Sequence, residues 1–239
     1  MEMKVAILAG GKGTRLMDET QGKLPKPLVP VKGKSLVEHV IDAYCDQGYC
    51  DAEVLAGYMK LEMVAALVGR AGIHVLDTGE ETQTGGRLKR ASALLPWTFM
   101  ATYADGLADV NYAALLEHHR RMVKEHGVVV TLTAHPQTSR FGVLHLADGL
   151  VRSFGEKADI ISTWVNIGFY VMEQEIMELI PGDACVLERD VLPALAEQGR
   201  LAAFPHFGYF QCVDTWRDLE AANAAPDPPP WRRFAGKRD

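Results

Sequence analysis

No apolar run in this chain approaches the roughly 20 residues that cross a bilayer. The short run near the start, Val5-Ala6-Ile7-Leu8, enters a glycine loop directly, which does not fit a signal-peptide pattern. Cysteine is scarce. Cys45, Cys50, Cys185 and Cys212 form no Cys-x-x-Cys pair and have no nearby histidine at zinc spacing. Neither a disulfide framework nor a zinc site is indicated, and reduced, buried thiols in a soluble cytoplasmic protein are expected. Positive charge is not in excess: 25 Lys plus Arg against 31 Asp plus Glu leave a net charge of −6. That balance argues against a nucleic-acid or acidic-membrane surface and confines anion binding to a local basic site. The eight histidines supply no metal signature, because His118 and His119 are adjacent rather than three or four apart on a helix. Internal repeats are lacking. What is present is 48% apolar residues over 239, enough for the core of one large α/β domain.

The chain alternates between the two hydrophobic periods. Ser35-Leu36-Val37-Glu38 has the form of a capping box, and Leu36, Val40, Ile41 and Tyr44 mark one face of a helix that Gly48 ends. Residues 52–56 read as a strand, 58–68 as a helix and 73–76 as a strand; 86–95 read as a helix, 98–103 as a strand that delivers Asp105, and 111–126 as a helix. A β-branched buried strand follows at 128–134, Asp148-Gly149 is the strongest hairpin turn signal, residues 163–172 are strand-rich, and helices are expected near 174–180 and 188–198. This alternation predicts an α/β fold with a doubly wound, mostly parallel, Rossmann-like sheet. One domain is expected over 1–224, with a smaller strand-rich lobe at about 140–171 packed on the same sheet. The stretch 225–239 carries Pro226, Pro228, Pro229 and Pro230, which exclude a regular helix; a loose tail is the expectation, with docking on a neighbouring subunit the alternative.

The most informative stretch is the first thirty residues. The buried strand at 5–8 leads into Ala9-Gly10-Gly11-Lys12-Gly13-Thr14-Arg15, whose glycines let backbone N–H groups face inward, as a phosphate requires. The loop is not a P-loop, which ends in Gly-Lys-Ser/Thr, and not a dinucleotide loop, which needs glycine where Leu16 stands. It carries two cations, Lys12 and Arg15. A further lysine, Lys26, is held between Pro25 and Pro27, which restrict its backbone.

Gly10-Gly11-Lys12-Gly13-Thr14-Arg15 followed by Pro25-Lys26-Pro27 resembles the signature of the sugar-1-phosphate nucleotidyltransferases. Asp77-Thr78-Gly79, Thr84-Gly85-Gly86-Arg87, Asp105-Gly106-Leu107-Ala108-Asp109 and Gln211-Cys212-Val213-Asp214-Thr215 resemble the glucose-1-phosphate cytidylyltransferase branch, and the matches run from Val5 to about Asn223. The resemblance implies attack of a sugar-1-phosphate oxygen on the α-phosphorus of CTP, with pyrophosphate released. Both reactants are anions, so cations and a divalent metal are the parts needed rather than a covalent nucleophile. It implies Arg15 and Lys26 as the catalytic cations and Asp105 with Asp214 as ligands of Mg2+, which takes hard oxygen donors. Leu8, Ala9, Gly10, Gly11, Lys12, Gly13, Thr14, Thr82, Gly86, Arg87 and Ala104 would surround the nucleotide, with Arg87 reaching the pyrimidine carbonyl. Glu156, Lys157, Asn166 and Gly168 would hold the sugar phosphate. A homo-oligomer is expected.

Three departures from the branch are visible. Ala104 stands in place of a glycine, Ile167 replaces the first of two glycines, and the segment between Gly57 and Asp77 is short. Two alternatives stay open at this stage: an enzyme that uses UTP or dTTP or activates another phosphorylated small molecule, and a non-catalytic nucleotide-sugar-binding regulator. Intact Arg15, Lys26, Asp105 and Asp214 speak against the second.

Overall fold

A computed structural model describes residues 3–13, 22, 24–138, 143–147, 150–155 and 161–235. The chain opens with β1 (Val5–Leu8), a small ribbon of β2 (Pro30–Val31) and β3 (Lys34–Ser35), helix α1 (Leu36–Cys45), β4 (Ala52–Ala56), α2 (Lys60–Leu67), β5 (Ile73–Asp77) and α3 (Thr84–Ala91). Then come β6 (Thr98–Tyr103), β7 (Gly106–Ala108), α4 (Tyr112–His126), β8 (Val130–Thr138), β9 (Val143–Ala147), β10 (Leu150–Gly155) and β11 (Ile161–Glu173). The last elements are α5 (Leu192–Glu197), β12 (Leu201–Pro205), β13 (Phe210–Cys212) and α6 (Trp216–Asn223).

Among the described residues seven strands form one sheet in the order β12-β8-β11-β6-β1-β4-β5. The pairs β1/β4, β1/β6, β4/β5 and β8/β12 are parallel, and β11 alone runs antiparallel, to both β6 and β8. The strand alternation explains why β1 is central. Val5 and Ile7 point into one apolar cluster with Val40, Tyr44 and Leu115, while Ala6 and Leu8 point into the other with Leu88, Phe99 and Tyr170. A strand buried on both faces reads as an unbroken apolar run, as this one does. The helices cover the two faces and leave the carboxyl ends of β1 and β6 at one edge, the place where open α/β sheets bind ligands.

Local chemistry sets most boundaries. Glu38 accepts hydrogen bonds from the Ser35 N–H at 2.9 Å and hydroxyl at 2.7 Å, starting α1. Asn111 caps α4 by accepting from the Ala114 N–H at 3.0 Å, and Gly127 ends it at φ 64°. Residues 174–179 form a 3₁₀ turn rather than the expected α-helix, and a wide turn over Leu187–Val191 precedes α5. Of the segment expected as a lobe at about 140–171, β11 belongs to the seven-stranded sheet, whereas β9 and β10 pair with each other in a separate two-stranded sheet. The first half of β11, Ile161–Asn166, pairs only with β8 and projects past β6, while Phe169–Glu173 pairs with β6. Strands β9 and β10 pair with Ala147 opposite Leu150; Asp148 and Gly149 lie outside the described residues.

Two expectations are corrected. Cys45 and Cys50 form a disulfide, because α1 ends at Cys45 and the turn through Gly48, at φ 87°, brings the two Cα atoms to 4.3 Å. The tail is not loose up to Ala235. Trp231 is only 2% exposed and packs in a third apolar cluster with Val31, Leu36, Leu107, Val213 and Leu219. Its Nε1–H donates to His39 Nδ1 at 3.2 Å, and Arg232 pairs with Asp46 at 2.8 Å and Asp42 at 3.1 Å. The prolines exclude a regular α-helix but suit the start of a short turn, and Trp231 docks its indole from a 3₁₀ turn, Pro230–Arg232; burial of an aromatic of that size outweighs the ordering cost. Among the described residues no helix is long and apolar enough to cross a membrane.

Candidate active site

The glycine loop leaves β1 beneath the segment that carries Lys26. Gly13 adopts φ 62°, and a Cβ there would lie 2.5 Å from the Lys26 Cβ, so both the turn and the close approach require glycine. Lys26 opens a single 3₁₀ turn, Lys26–Leu28, after Pro25 at φ −69°. The two prolines thereby fix the direction of its stem. Its side chain is 11% exposed, and its ammonium donates to Asp105 Oδ2 at 2.6 Å and to the Asp214 carboxylate. Burial alone would push the Lys26 pKa down; the two carboxylates outweigh it and hold the group charged above the usual lysine value.

Asp105 and Asp214 come from opposite ends of the sequence. Asp105 lies in the turn between β6 and β7, and β7 pairs antiparallel with β13 so that Gly106 faces Cys212. The Val213 N–H donates to the Asp105 carbonyl at 3.0 Å, which pins the end of β13 beside that turn. Asp214 precedes the capping box of α6, and its own N–H donates to the Asp218 carboxylate at 3.1 Å. Ligand atoms of Asp105, Cys212 and Asp214 all lie within 4.8 Å of one another. The donor set fits a divalent cation: two carboxylates converge, and a cation, the Lys26 ammonium, already sits against both. Burial, with the two aspartates beside it, pushes the Cys212 thiol up to about 12.

Beside this group a cleft opens between the glycine loop and the start of α3. Leu8, Ala9, Gly10, Gly11 and Gly13 line one wall, Thr82, Gln83, Thr84 and Arg87 the other, and Tyr103, Ala104, Asp105 and Lys26 the end. Arg87 frames the cleft. Its NH1 donates to Thr78 Oγ1 at 2.7 Å, the Gly79 carbonyl at 2.8 Å and the Ala56 carbonyl at 3.2 Å; its NH2 donates to the carbonyls of Gly10 at 3.0 Å and Glu80 at 3.3 Å. A Cβ on Gly10 would lie 2.1 Å from that guanidinium, and one on Gly57 would lie 2.5 Å from it. Among the described residues Arg87 forms no ion pair, so a buried positive charge is carried on neutral acceptors at the wall of the cleft. In the geometry seen, both terminal nitrogens of Arg87, the residue expected to reach the pyrimidine, are engaged by backbone carbonyls and Thr78.

The other expected residues divide as follows. Lys12 stands at the rim, 3.1 Å from both Glu80 and Glu81, rather than in the cleft. Gly86 sits in α3 against Asp183, where a Cβ would come within 2.6 Å of backbone, so it serves helix packing and does not line the cleft. Gly168, at φ 80°, lets Tyr103 pass, since a Cβ there would lie 2.5 Å from its ring. Asn166 donates to the Tyr170 hydroxyl at 2.7 Å and accepts from the Gly168 N–H at 3.0 Å. Gly168 thus packs against Tyr103, which lines the cleft, and Asn166 lies two residues before it. Thr14, Arg15, Glu156 and Lys157 lie outside the described residues. Sequence reasoning missed Cys212, which stands two residues before Asp214. In an extended segment that spacing puts both on one face, and it was the available signal.

The family model described as Nucleotidyl transferase matches residues 4–225. A glucose-1-phosphate cytidylyltransferase of Salmonella typhimurium is 37% identical over 90% of this chain and 93% of its own length. A probable glucose-1-phosphate cytidylyltransferase of Bacillus subtilis is 32% identical over 92% of this chain and 95% of its own length. The crystal structure of HddC from Yersinia pseudotuberculosis superposes with a TM-score of 0.72 at 25% identity, covering 92% of this chain and 98% of that one.

Proposed function

The chain belongs to the nucleotidyl transferase family, and from that premise we propose that it joins glucose 1-phosphate to CTP, giving CDP-glucose and pyrophosphate. One observation carries the reading: Lys26, Asp105 and Asp214, from three separated segments, converge at the end of the glycine-loop cleft. The identity of 37% to a cytidylyltransferase along nearly the whole chain supports the choice of CTP and of glucose 1-phosphate.

In this reading the triphosphate lies along the inward backbone N–H groups of Gly10, Gly11 and Gly13, with the base against Leu8, Ala9 and Thr82 and the wall that Arg87 braces. Arg15 and Lys26 are the cations. A phosphate oxygen of the sugar phosphate forms a bond to the α-phosphorus as the bond to the β-phosphate oxygen breaks, and no proton transfer or covalent enzyme intermediate is needed. Asp105 and Asp214 would hold Mg2+, which when bound supplies charge neutralisation for the phosphates. Lys26 stays charged at neutral pH and offers one ammonium to the α-phosphate and the incoming phosphate together. Glu156, Lys157, Asn166 and Gly168 form the sugar-phosphate side; the close approach of Gly168 to Tyr103 at the end of the cleft supports that placement.

The test is pyrophosphate release from glucose 1-phosphate and magnesium with CTP, UTP, dTTP or GTP in turn. CTP is expected to be preferred. A stronger preference for UTP or dTTP overturns the cytidylyl assignment, and nucleotide binding without turnover overturns the catalytic one.

A further inference from the structure

The site holds a donor that magnesium has no use for. Strand β13 ends at Cys212, and Cys212 and Asp214 share one face of the extended segment. The cross-strand pair Cys212↔Gly106 and the hydrogen bond from the Val213 N–H to the Asp105 carbonyl, 3.0 Å, bring that face beside Asp105. One oxygen from each carboxylate and the Cys212 sulfur lie within 4.8 Å of one another. Metal bonds of about 2.1 Å to oxygen and 2.3 Å to sulfur separate tetrahedral ligands by about 3.5 Å, so small side-chain rotations suffice to close the three donors on one ion. A second observation points the same way: a positive group, the Lys26 ammonium, is already seated against both carboxylates.

We infer that Cys212 is a third ligand of this centre, and that the centre takes a thiophilic divalent cation of the zinc, cadmium or cobalt(II) type more tightly than Mg2+. Two carboxylates and a thiolate are three protein donors with positions left open, whereas a hard cation uses only the oxygens. On binding, the thiol proton goes to solvent, a metal–sulfur bond forms, and the Lys26 ammonium leaves the carboxylates; no electron is transferred. The bound thiophilic ion occupies the position proposed for Mg2+, so it inhibits. The inference rests on the reading of Asp105 and Asp214 as the metal pair.

Cysteine chemistry makes the site addressable. Cys45 and Cys50 are bonded to each other, and Cys185 is 3% exposed inside the apolar core, which leaves Cys212 as the accessible free thiol among the described residues.

The experiment is a cadmium titration of the full chain without nucleotide, followed by the ultraviolet thiolate-to-cadmium charge-transfer band, with Cys212→Ser, Cys212→Ala, Asp105→Asn and Asp214→Asn in parallel. The wild type is expected to bind one equivalent with the band. Both cysteine variants should lose the band and bind at least roughly 10–100-fold more weakly, the loss that removal of even an outer-shell partner causes. Cadmium should also slow alkylation of Cys212, read by mass spectrometry of the labelled peptide. An unchanged band and affinity in both cysteine variants overturns the inference while leaving the aspartate pair intact. Unchanged cadmium affinity in both aspartate variants overturns the pair as well, independently of any activity assay.

Discussion

Replacing Arg87 by methionine removes a buried cation while keeping its stem, and the structure gives the size of the effect. Five acceptors lose a donor, but they are not equivalent. The Ala56 carbonyl keeps the Thr78 N–H at 2.9 Å and hydroxyl at 2.7 Å, and the Gly10 carbonyl keeps the Tyr58 N–H at 3.1 Å. The carbonyls of Gly79 and Glu80 lose the donor that Arg87 provided. At about 1–3 kcal/mol for each orphaned buried acceptor the ceiling is about 6 kcal/mol, and water entering from the open cleft brings the expectation to about 2–4 kcal/mol. Part of that sum is the tie between Gly10 and the 78–80 loop, which shapes the nucleotide wall. If about 1.4–2.7 kcal/mol of it is felt in nucleotide binding, the KM for CTP rises roughly 10–100-fold. Gly57→Ala checks the same reasoning without removing charge, because its Cβ would lie 2.5 Å from Arg87 NH1 and 2.6 Å from the Gly79 carbonyl and must push them apart. The assays are steady-state pyrophosphate release against CTP concentration and calorimetric unfolding. An Arg87→Met protein with wild-type KM and wild-type melting temperature refutes the brace; one that melts early with an unchanged KM reduces it to a purely structural tie.

Lys26→Ala and Asp214→Asn should each lower kcat by roughly 10²–10³ if the contacts act mainly in the transition state, with far-ultraviolet circular dichroism unchanged; turnover within a factor of three of wild type in both removes the proposed chemistry. Reduction of the Cys45–Cys50 disulfide reopens a loop with a sequence separation of 5 and should cost about 2 kcal/mol by chain entropy, a fall of roughly 4–8 °C in Tm for a domain of this size; an identical Tm with and without reductant contradicts it. Docking of the tail should weaken in mild acid. His39 Nε2–H donates to the Val31 carbonyl at 2.8 Å, so Nδ1 accepts from Trp231, and burial, followed by the nearby Lys34 and Arg232, holds the His39 pKa below its usual value against the opposing pull of the Val31 bond and Asp42. A histidine with a depressed folded pKa favours the neutral form, so its contribution is complete above about pH 6.5 and is lost as the pH falls through that value toward the folded pKa. Proteolysis after Ala225 should therefore be faster at pH 5.5 than at pH 7.5, and a rate independent of pH, measured with an acid-tolerant protease, would dispose of the coupling. Trp231→Ala should cost about 3–5 kcal/mol.

The parts of the fold that were legible in the sequence are those governed by local rules. The apolar run of β1, the capping box at Ser35 and the Asn111 and Gly127 caps of α4 each depend on neighbours within a few positions, and each stands where its chemistry places it. The parts that were not legible depend on distant partners. The antiparallel course of β11 is set by pairing with β6 and β8, residues 23–75 positions away, which no periodicity encodes. The Cys45–Cys50 bond depends on the angle at which α1 ends, and the docking of Trp231 on a hollow made by β7, α1 and α6. The site shows the same division. Gly13 and Lys26 are local and readable, while Arg87 is set apart from its neighbours Lys89 and Arg90 by the motif it ends and not by helical spacing, and its backbone partners are not encoded nearby. The structure separates them: Arg87 turns into the wall, Lys89 reaches the Met177 carbonyl and Arg90 pairs with Asp183 at the surface.

Charge counting at the Lys26 group explains why lysine alone does not equip this cleft for a triphosphate. Two carboxylates and one ammonium sum to −1, so the end of the cleft repels phosphate in the arrangement seen. A divalent ion held by Asp105 and Asp214 turns that sum to +1 while the ammonium is retained, and each unit of charge at about 4 Å is worth about 4 kcal/mol at an effective dielectric of 20. The same cluster that disfavours free nucleotide therefore favours nucleotide accompanied by metal. The buried Arg87, carried on neutral acceptors, keeps its +1 in both conditions and biases the wall of the cleft toward anions throughout. On this arithmetic, nucleotide binding measured by calorimetry should depend on the divalent ion far more steeply in the wild type than in Asp105→Asn/Asp214→Asn, whose sum of +1 is fixed by Lys26 alone. Equal metal dependence in the two proteins would show that the carboxylates do not govern the charge of the cleft.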